Sequence, residues 1–488
     1  MQRREFLKQL GVGLALASGA GRWVQDASAA QDERPNFLFL FTDDQAFSTV
    51  NAMNNPAVKT PNMDRLVRRG TTFTHCFNQG AWHGAVCVAS RAMLNTGRYV
   101  WQCGGDTCGN YPLWGETLGK AGYDTFMTGK WHNRDKALKR SFKTVGPTGG
   151  GMFGSKDTKA KANKEKGIVK DPYDRPRPGN SWSPYDKTLT GHWRNVDGEI
   201  VHSSKLWADT AIDYLEDHVT QSDDPFFMYV AFHAPHDPRQ SPKKFVDMYP
   251  PEEIEVPPNY LPEHPFDQGD HKLRDEVLAP FPRTKEAVQV HLSEYYAIIS
   301  HADYHIGRIL DALEATGKAD NTVIIFSADH GLAVGQHGLM GKQNQYDCSV
   351  RMPYVFCGPG IDAGRKNDAL VYLQSAFATT CEMAGVKAPD TVQFPSLVPL
   401  LKGKQEKLYD CVYGAYRDFQ RMVRTERYKL IRYPHVGEVQ LFDLVNDPWE
   451  MNDLAEDPQY TMIVKDLDFK LHQWMQRTGD KLKLDALS

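Results

Sequence analysis

The strongest constraint on this chain is a repeated order in which short strand-like runs end in ionisable residues and alternate with amphipathic stretches. The first run is residues 37–41 (Phe-Leu-Phe-Leu-Phe), and the others are 123–128, 226–232 and 322–327. Continuous apolar runs of this length are typical of strands that are buried on both faces. Strands that alternate with helical segments predict an α/β fold with a central, mostly parallel sheet flanked by helices.

The C-terminal part of the chain has a different pattern of predicted elements. Short strand-like segments follow one another at 412–416, 422–425, 428–433 and 439–442, and a helical segment covers about 460–477. Neighbouring short strands without helices between them are typical of an antiparallel sheet. We therefore predict a smaller C-terminal α+β subdomain at 404–488, after a larger α/β domain at 30–403.

The first 29 residues are predicted to be an export signal. Arg3 and Arg4 precede a mildly apolar stretch from Leu10 to Ala20, and Ala27-Ser28-Ala29 supplies small residues for cleavage. The arginine pair resembles the twin-arginine signal of bacteria, which makes the translocase a partner and predicts a periplasmic or secreted protein. The alternative is an amphipathic N-terminal helix.

Composition excludes several classes of function. The net charge is -4 with no basic excess, so we expect no nucleic-acid partner. No uninterrupted apolar run reaches the ~18 residues of a membrane span, so no stable span is expected. Eight cysteines in 488 residues are too few for a disulfide scaffold. Cys103 and Cys108 are either a short-loop disulfide or two free thiols.

Each of the four predicted strands is followed by polar residues. Ligands of open parallel sheets bind outside the carboxyl ends of the strands, so these residues are expected to meet. One such group could be an ordinary turn or helix cap, but four together favour a bound cation beside an anion. The four groups are Thr42-Asp43-Asp44, Gly129-Lys130-Trp131-His132, His233-Ala234-Pro235-His236-Asp237 and Ala328-Asp329-His330-Gly331.

The chemistry of these groups suits transfer of a sulfuryl or phosphoryl group. Carboxylates such as Asp43, Asp44 and Asp329 are ligands of Ca²⁺ or Mg²⁺. His330 fits less well, because imidazole is usually a ligand of transition metals. In this interpretation, three further side chains supply an anion clamp and acid/base groups, namely Lys130, His132 and His236.

A cysteine stands close to a predicted helix start. Cys87 is followed one turn later by Arg91, and a helix N-terminus with a nearby guanidinium attracts anions. Taken alone, Cys87 is more often a buried small hydrophobe than a nucleophile.

Together these motifs resemble the type I, formylglycine-dependent sulfatases of the alkaline phosphatase superfamily. The family pattern Cys-x-Pro-Ser-Arg reads Cys87-Val88-Ala89-Ser90-Arg91 here, with Ala89 in the place of the usual proline. The resemblance extends from Pro35 to about Leu454, and the Asp-His-Gly form at 329–331 is similar to the iduronate-2-sulfatase branch. Further matching segments are Thr60-Pro61-Asn62, Gly335-Gln336-His337-Gly338-Leu339, Gly341-Lys342 and Leu441-Phe442-Asp443-Leu444.

The resemblance implies an alkaline-phosphatase-like core and a modified nucleophile. Cys87 would be oxidised to formylglycine (3-oxoalanine) by a formylglycine-generating enzyme. One Ca²⁺ per chain is implied, with Mg²⁺ or another divalent ion as the alternative. The implied metal ligands are Asp43, Asp44, Cys87, Asp329 and His330.

The resemblance also implies catalytic roles. Arg91 would stabilise the formylglycine, and Lys130 and Lys342 would hold the sulfate. His132 would assist deprotonation of the aldehyde hydrate. His236 would protonate the leaving alcohol, with His233 as a close competitor.

We therefore predict a sulfuric ester hydrolase that acts on a sulfated small molecule or glycan. The alternatives are a phosphonate or phosphate ester hydrolase of the same superfamily and a non-catalytic glycan-binding relative. The lysine-rich stretch 156–170 is either a solvated face or a funnel for a sulfated glycan, with Trp182, Tyr185 and Trp193 as candidate sugar-stacking residues.

Overall fold

The four strands predicted from the sequence are neighbours in one large sheet. The computed structural model describes residues 34–150 and 191–487. The predicted signal segment 1–29, the lysine-rich stretch, Trp182 and Tyr185 lie outside those residues. The described residues from Arg34 onward belong to a single compact unit.

The strands in the described part of the chain are β1 Asn36–Thr42, β2 Thr71–Phe77, β3 Gly80–Ala81, β4 Asp124–Lys130, β5 Thr144–Gly149, β6 Trp193–Val196, β7 Glu199–His202, β8 Phe226–Ala231, β9 Thr322–Ala328, β10 Arg351–Met352, β11 Tyr354–Cys357, β12 Arg365–Tyr372, β13 Val412–Tyr416, β14 Gln420–Arg424, β15 Tyr428–Tyr433 and β16 Glu438–Asp443. The helices are α1 Pro61–Arg69, α2 Val86–Thr96, α3 Trp114–Lys120, α4 Asp135–Ser141, α5 Ser203–Asp217, α6 Lys243–Val246, α7 Lys285–Ala315, α8 Asp347–Val350, α9 Ser375–Met383, α10 Val398–Leu401 and α11 Thr461–Thr478.

The large sheet has the order β10-β2-β11-β9-β1-β8-β4-β5, with β12 paired to β2. Strands β9, β1, β8 and β4 are adjacent and parallel, with Phe39 of β1 opposite Tyr229 of β8 and Ile325 of β9. The antiparallel members are β10 and β11, which lie on the other side of β9. The predicted α/β fold with a mostly parallel sheet is confirmed.

Strand β1 shows why the apolar runs form the centre of the sheet. Phe37, Phe39 and Phe41 are fully buried in one hydrophobic cluster, and Leu38 and Leu40 are fully buried in another. Both faces of the strand are therefore covered, which explains the absence of polar alternation. Each such side chain contributes about 1.5–3 kcal/mol by its burial.

A second sheet has the order β16-β15-β14-β13-β3. Its C-terminal strands pair antiparallel, as predicted, and α11 follows them. The short strand β3 comes from the N-terminal part of the chain and pairs parallel with β13. The sheet is therefore shared between the two predicted parts, and the boundary at 403/404 stays a prediction.

The predicted helices have the right places but different ends. The long helix α7 begins at Lys285, where the Thr284 side chain caps the helix by accepting a hydrogen bond from the Ala287 N–H. Helix α2 begins at Val86, so Cys87 lies just inside the helix rather than before it. Within the described ranges, no helix is long and apolar enough to cross a membrane.

Candidate active site

The carboxyl ends of β9, β1, β8 and β4 bring the four predicted polar groups to one edge of the sheet. Asp43 and Asp44 follow β1, and Asp329 follows β9. Lys130 ends β4, and His236 follows β8. Parallel neighbours make this convergence unavoidable, because their carboxyl ends lie side by side.

The three carboxylates and one imidazole form a buried cluster. Asp43, Asp44, Asp329 and His330 are each 1 % exposed or less. The His330 Nε2 atom lies 3.4 Å from Oδ1 of Asp44 and 3.5 Å from Oδ1 of Asp329. The backbone N–H of Asp44 donates to Asp329 Oδ1 at 3.1 Å, and Asp44 itself has a left-handed φ of 67°. The turn after β1 thus aims both acids into the cluster.

The donor set fits a divalent cation. Potential ligand atoms of Asp43, Cys87, Asp329 and His330 all lie within 4.8 Å of one another. Asp43 Oδ1 and His330 Nε2 are buried and have no hydrogen-bond partner. Buried polar atoms are nearly always paired, so unpaired ones that converge are typical of a ligand site. A second combination with the same spacing contains Asp43, Asp44 and His236.

The pKa values of the cluster residues reflect the close approach of several carboxylates. Burial raises the pKa of Asp44 to about 7, although Lys342 opposes the shift. Burial and Asp329 raise the pKa of Asp43, but Lys130, His236 and Arg91 outweigh them and hold it below its usual value. Burial lowers the pKa of His330, yet Asp329 and its other acidic neighbours raise it to about 9. A bound cation would relieve this repulsion.

Helix α2 brings Cys87 and Arg91 to the cluster, and every residue of this helix is buried. The Cys87 Sγ atom lies 3.2 Å from Nδ1 of His132. Burial raises the pKa of the Cys87 thiol, but Lys130, His132 and Lys342 lower it well below its usual value. Position 87 is therefore a strongly electropositive place, suited to a developing anion.

Arg91 lies behind the cluster and is completely buried. Its Nε and Nη2 atoms are 3.1 and 3.0 Å from Asp329 Oδ2, and Nη1 donates to the Lys130 carbonyl at 2.6 Å. The Nη2 atom also lies 3.6 Å from Asp43 Oδ1. Arg91 thus joins the turns after β9, β1 and β4.

The two lysines that were predicted to hold sulfate reach the acids from different sides. Lys130 Nζ contacts Asp43 Oδ2. Lys342 Nζ lies 2.8 Å from both carboxylate oxygens of Asp44. The carboxylates of Asp44 and Asp275 raise the pKa of Lys342 well above its usual value against the effect of burial. Lys342 therefore keeps its positive charge.

The structure distinguishes the two candidate acids by position. His236 Nε2 points to the cluster, 3.9 Å from Asp44 Oδ2, and its Nδ1 donates to the Asp237 carbonyl at 2.7 Å. His233 Nε2 donates to the Gly150 carbonyl at 2.9 Å, and its ring stacks on Trp207. His236 lines the cavity next to Cys87, and His233 does not.

This cavity has a volume of about 330 Å³ and also has a wall that sequence reasoning missed. The wall consists of Leu273, Arg274 and Asp275, which belong to the long irregular segment between β8 and α7. No spacing or motif marks these residues. The only available signal was the length of the segment, because long irregular segments of compact enzymes are often functional.

Two smaller expectations are settled by the structure. Trp193 was a candidate for sugar stacking, but it is 4 % exposed and its ring packs against His202 in the β6–β7 hairpin. The prediction that Trp193 stacks on a sugar is wrong, because its ring is buried and packs inside the protein. Cys103 and Cys108 are buried free thiols.

Together, the acid cluster, the lysines and the helix N-terminus define a hydrolase of anionic esters with an α/β fold. A family model described as Sulfatase matches residues 35–386, and one described as N-sulphoglucosamine sulphohydrolase, C-terminal, matches residues 335–477. The chain belongs to the sulfatase family and is a sulfuric ester hydrolase.

Two relatives of known name are sulfatases, and a solved structure of another hydrolase shares the fold. An arylsulfatase of Clostridium perfringens is 26% identical over 456 residues, which cover 88% of this chain and 91% of that protein. An ulvan-active sulfatase of Formosa agariphila is 28% identical over 483 residues, covering 93% and 84%. The phosphonate monoester hydrolase of Agrobacterium radiobacter has the same fold, with a TM-score of 0.72, 22% identity and coverage of 91% and 96%.

Proposed function

We propose that this sulfatase removes sulfate from a sulfated glycan with a formylglycine made from Cys87 and one bound Ca²⁺. The observation that carries the proposal is the position of Cys87 Sγ, which lies within 4.8 Å of ligand atoms of Asp43, Asp329 and His330. A nucleophile that shares a cation with three remote ligands is the arrangement that ester hydrolysis at sulfur requires.

The aldehyde and the metal would supply complementary chemistry. A hydrated aldehyde at position 87 would supply two hydroxyls on one carbon: one as the nucleophile toward sulfur, with the alcohol as leaving group, and one whose deprotonation would regenerate the aldehyde as sulfate leaves. A divalent ion would polarise the attacking hydroxyl and screen the sulfate oxygens. It would be held by Asp43, Asp44, position 87, Asp329 and His330. Three carboxylates favour a hard cation, and on this ground we choose calcium over a transition metal.

The lysines and His132 have different roles in the proposed reaction: the lysines bind the sulfate, and His132 acts on the side chain at position 87. Lys130 and Lys342 flank the acid cluster and would each donate to a sulfate oxygen, which stabilises the charge that develops in the transition state. His132 is within 3.2 Å of the side chain at position 87, so it is the base for the hydrate. Arg91 positions Asp329 and the backbone of Lys130.

His236 is the proposed acid for the leaving alcohol. Its Nδ1–H is used by the Asp237 carbonyl, so Nε2 is the nitrogen that faces the cavity. Burial and the charges of Lys342 and Lys130 lower the pKa of His236 well below its usual value. A negatively charged sulfate ester at this place would raise that pKa and favour the protonated ring.

The proposal extends to maturation and location. A formylglycine-generating enzyme would convert Cys87, and the arginine pair at residues 3 and 4 would direct the folded protein through the twin-arginine translocase to the periplasm or beyond. Domain limits of 1–29, 30–403 and 404–488 belong to the same proposal. The names of the relatives, one of them an ulvan-active sulfatase, support a glycan substrate.

The alternative is a phosphonate or phosphate ester hydrolase, which the likeness in fold to a phosphonate monoester hydrolase keeps open. The test compares 4-nitrophenyl sulfate with 4-nitrophenyl phosphate and a 4-nitrophenyl phosphonate, using protein purified from its native host. We expect sulfate release to dominate, and the mass of the peptide that contains position 87 to show an aldehyde. Faster hydrolysis of the phosphonate or phosphate would reverse the assignment. Activity on none of the three esters would support the non-catalytic glycan-binding relative.

A further inference from the structure

The cavity at Cys87 has two ends with different chemistry. One end consists of the residues assigned above to sulfate, and the other is the wall of Leu273, Arg274 and Asp275, which we call the leaving-group wall. Ligand pockets range from about 300 to 1,000 Å³, so a volume of about 330 Å³ is at the small end. Such a space suits a sulfate and about one sugar ring.

The leaving-group wall has no surplus positive charge. Arg274 forms two contacts with the carboxylate of Asp237, one of them 2.9 Å between Nη2 and Oδ1, and its Nη2 also contacts Asp275 Oδ1. One guanidinium between two carboxylates leaves a net charge of about -1. Among the described cavity residues, the remaining lysine is Lys342, whose Nζ lies 2.8 Å from both carboxylate oxygens of Asp44 and 3.9 Å from Asp275 Oδ2, so its charge is also balanced by carboxylates.

Asp275 has the capacity to accept sugar hydroxyls. It is 4 % exposed, and its Oδ2 accepts a hydrogen bond from Gln343 Nε2 at 2.7 Å. A carboxylate offers about four lone-pair positions, so each oxygen of Asp275 retains one for a ligand. The neighbouring Leu273 is apolar and would cover the C–H face of a ring.

The opposite side of the cavity is backbone. Gly84 and Ala85 line it just before helix α2, and a side-chain carbon at Gly84 would be 3.4 Å from Leu273 Cδ1. The opening between backbone and Leu273 is therefore narrow. A single terminal ring fits this shape better than the middle of a chain.

We propose that the leaving-group wall binds one uncharged, hydroxyl-bearing sugar ring at a chain end, and that it disfavours a ring with a carboxylate or a second sulfate. The inference deepens the proposed function and rests on it. A second anion would face the Asp275 carboxylate beside a guanidinium that is already paired with two carboxylates, and like charges brought together at an interface are strongly unfavourable. Hydroxyls, in contrast, satisfy Asp275 and the edge of Arg274.

The experiment measures kcat/KM for sulfate release from three probes: 4-nitrophenyl sulfate, a sulfated methyl glycoside of a neutral pyranose, and the uronic acid analogue with sulfate at the same position. We expect the neutral glycoside to exceed the uronate by about 10-fold or more. Asp275→Asn should lower kcat/KM on the neutral glycoside by about 10- to 100-fold, because a hydrogen bond to a charged group is lost.

The matched control is Asp267→Asn, the same change at an exposed carboxylate of the same irregular segment. It should leave the ratio of neutral to uronate substrate unchanged, whereas Asp275→Asn should reduce it. Equal or better hydrolysis of the uronate by the wild-type enzyme would overturn the inference, even if Asp275→Asn does not fold. An equal loss on the glycoside and on 4-nitrophenyl sulfate would also overturn it. Absence of sulfate release from every probe would overturn the proposed function and the inference together.

Discussion

The Nδ1 atom of His132 lies 3.2 Å from Sγ of Cys87, although 45 positions separate the two residues in the chain. His132 stands after β4 with a left-handed φ of 61°, and Cys87 lies in the first turn of α2. The contact would join the proposed base to the proposed nucleophile, a pairing that is typical of covalent catalysis. It also places any group formed at position 87 next to the acid cluster.

Replacement of the nucleophile is the first prediction. Cys87→Ala should abolish sulfate release, with a loss of at least about 1,000-fold in kcat, and should leave the fold intact because only one sulfur is removed. Initial rates on 4-nitrophenyl sulfate and circular dichroism check both parts. Cys381→Ala, a buried cysteine of α9, is the control and should keep its activity. Full activity of Cys87→Ala would reject the mechanism.

Removal of the metal should lower activity and thermal stability together. An ion that binds only the folded state at 100 times its Kd contributes about 2.7 kcal/mol to the free energy of unfolding, so chelation should lower Tm. The measurement is a melting curve and a rate before and after dialysis against a chelator, followed by readdition of Ca²⁺. If neither quantity changes, or if Ca²⁺ restores neither, the calcium assignment is wrong.

The two histidines after β8 should behave differently. His236→Ala should lower kcat by about 100-fold or more on a sulfated sugar, and by much less on 4-nitrophenyl sulfate, whose leaving group needs little help from an acid. His233→Ala should act mainly on stability, because His233 bonds the Gly150 carbonyl and packs on Trp207. The ratio of the two rates in each variant is the measurement. The reverse pattern would make His233 the acid.

A buried ion cluster away from the active site offers a prediction about stability. The Asp347 Oδ1 atom lies 2.5 Å from Lys429 Nζ and 3.4 Å from Arg424 Nε. Asp347→Asn should lower the free energy of unfolding by about 1–3 kcal/mol, since Arg424 and Arg351 lose their carboxylate partner while Lys429 keeps Glu450. Asp390→Asn, in an exposed pair with Lys387, should leave the free energy of unfolding nearly unchanged.

The difference in the free energy of unfolding between wild type and Asp347→Asn should depend on pH in a defined direction. Burial raises the pKa of Asp347, but Lys429, Arg424 and Arg351 outweigh it and hold the pKa far below 3.8. A depressed pKa contributes stability above the unfolded value of about 3.9, and this contribution declines as the pH falls. Denaturant unfolding at several pH values should show the gap between wild type and Asp347→Asn narrowing below about pH 4. A gap that widens there would contradict the assignment.

Much of the fold was readable from local pattern. The runs of β1, β4, β8 and β9 needed no tertiary information, because a strand covered on both faces must be apolar along its length. The same rule predicted that Asp43, Lys130, His236 and Asp329 would meet, since parallel strands deliver their carboxyl ends to one edge. Strands β2, β10 and β11 were missed because they are short or carry mixed residues.

The sequence by itself determined the parallel centre of the sheet, its reactive edge and the residue types at that edge, because these depend on periodicity and chain order. Only the tertiary structure decided that His236 rather than His233 lines the cavity, that Trp193 is a core residue, and that Arg274 and Asp275 face Cys87. Those outcomes depend on how an irregular segment packs. Such packing results from many weak contacts between residues far apart in the chain, and no local pattern encodes it.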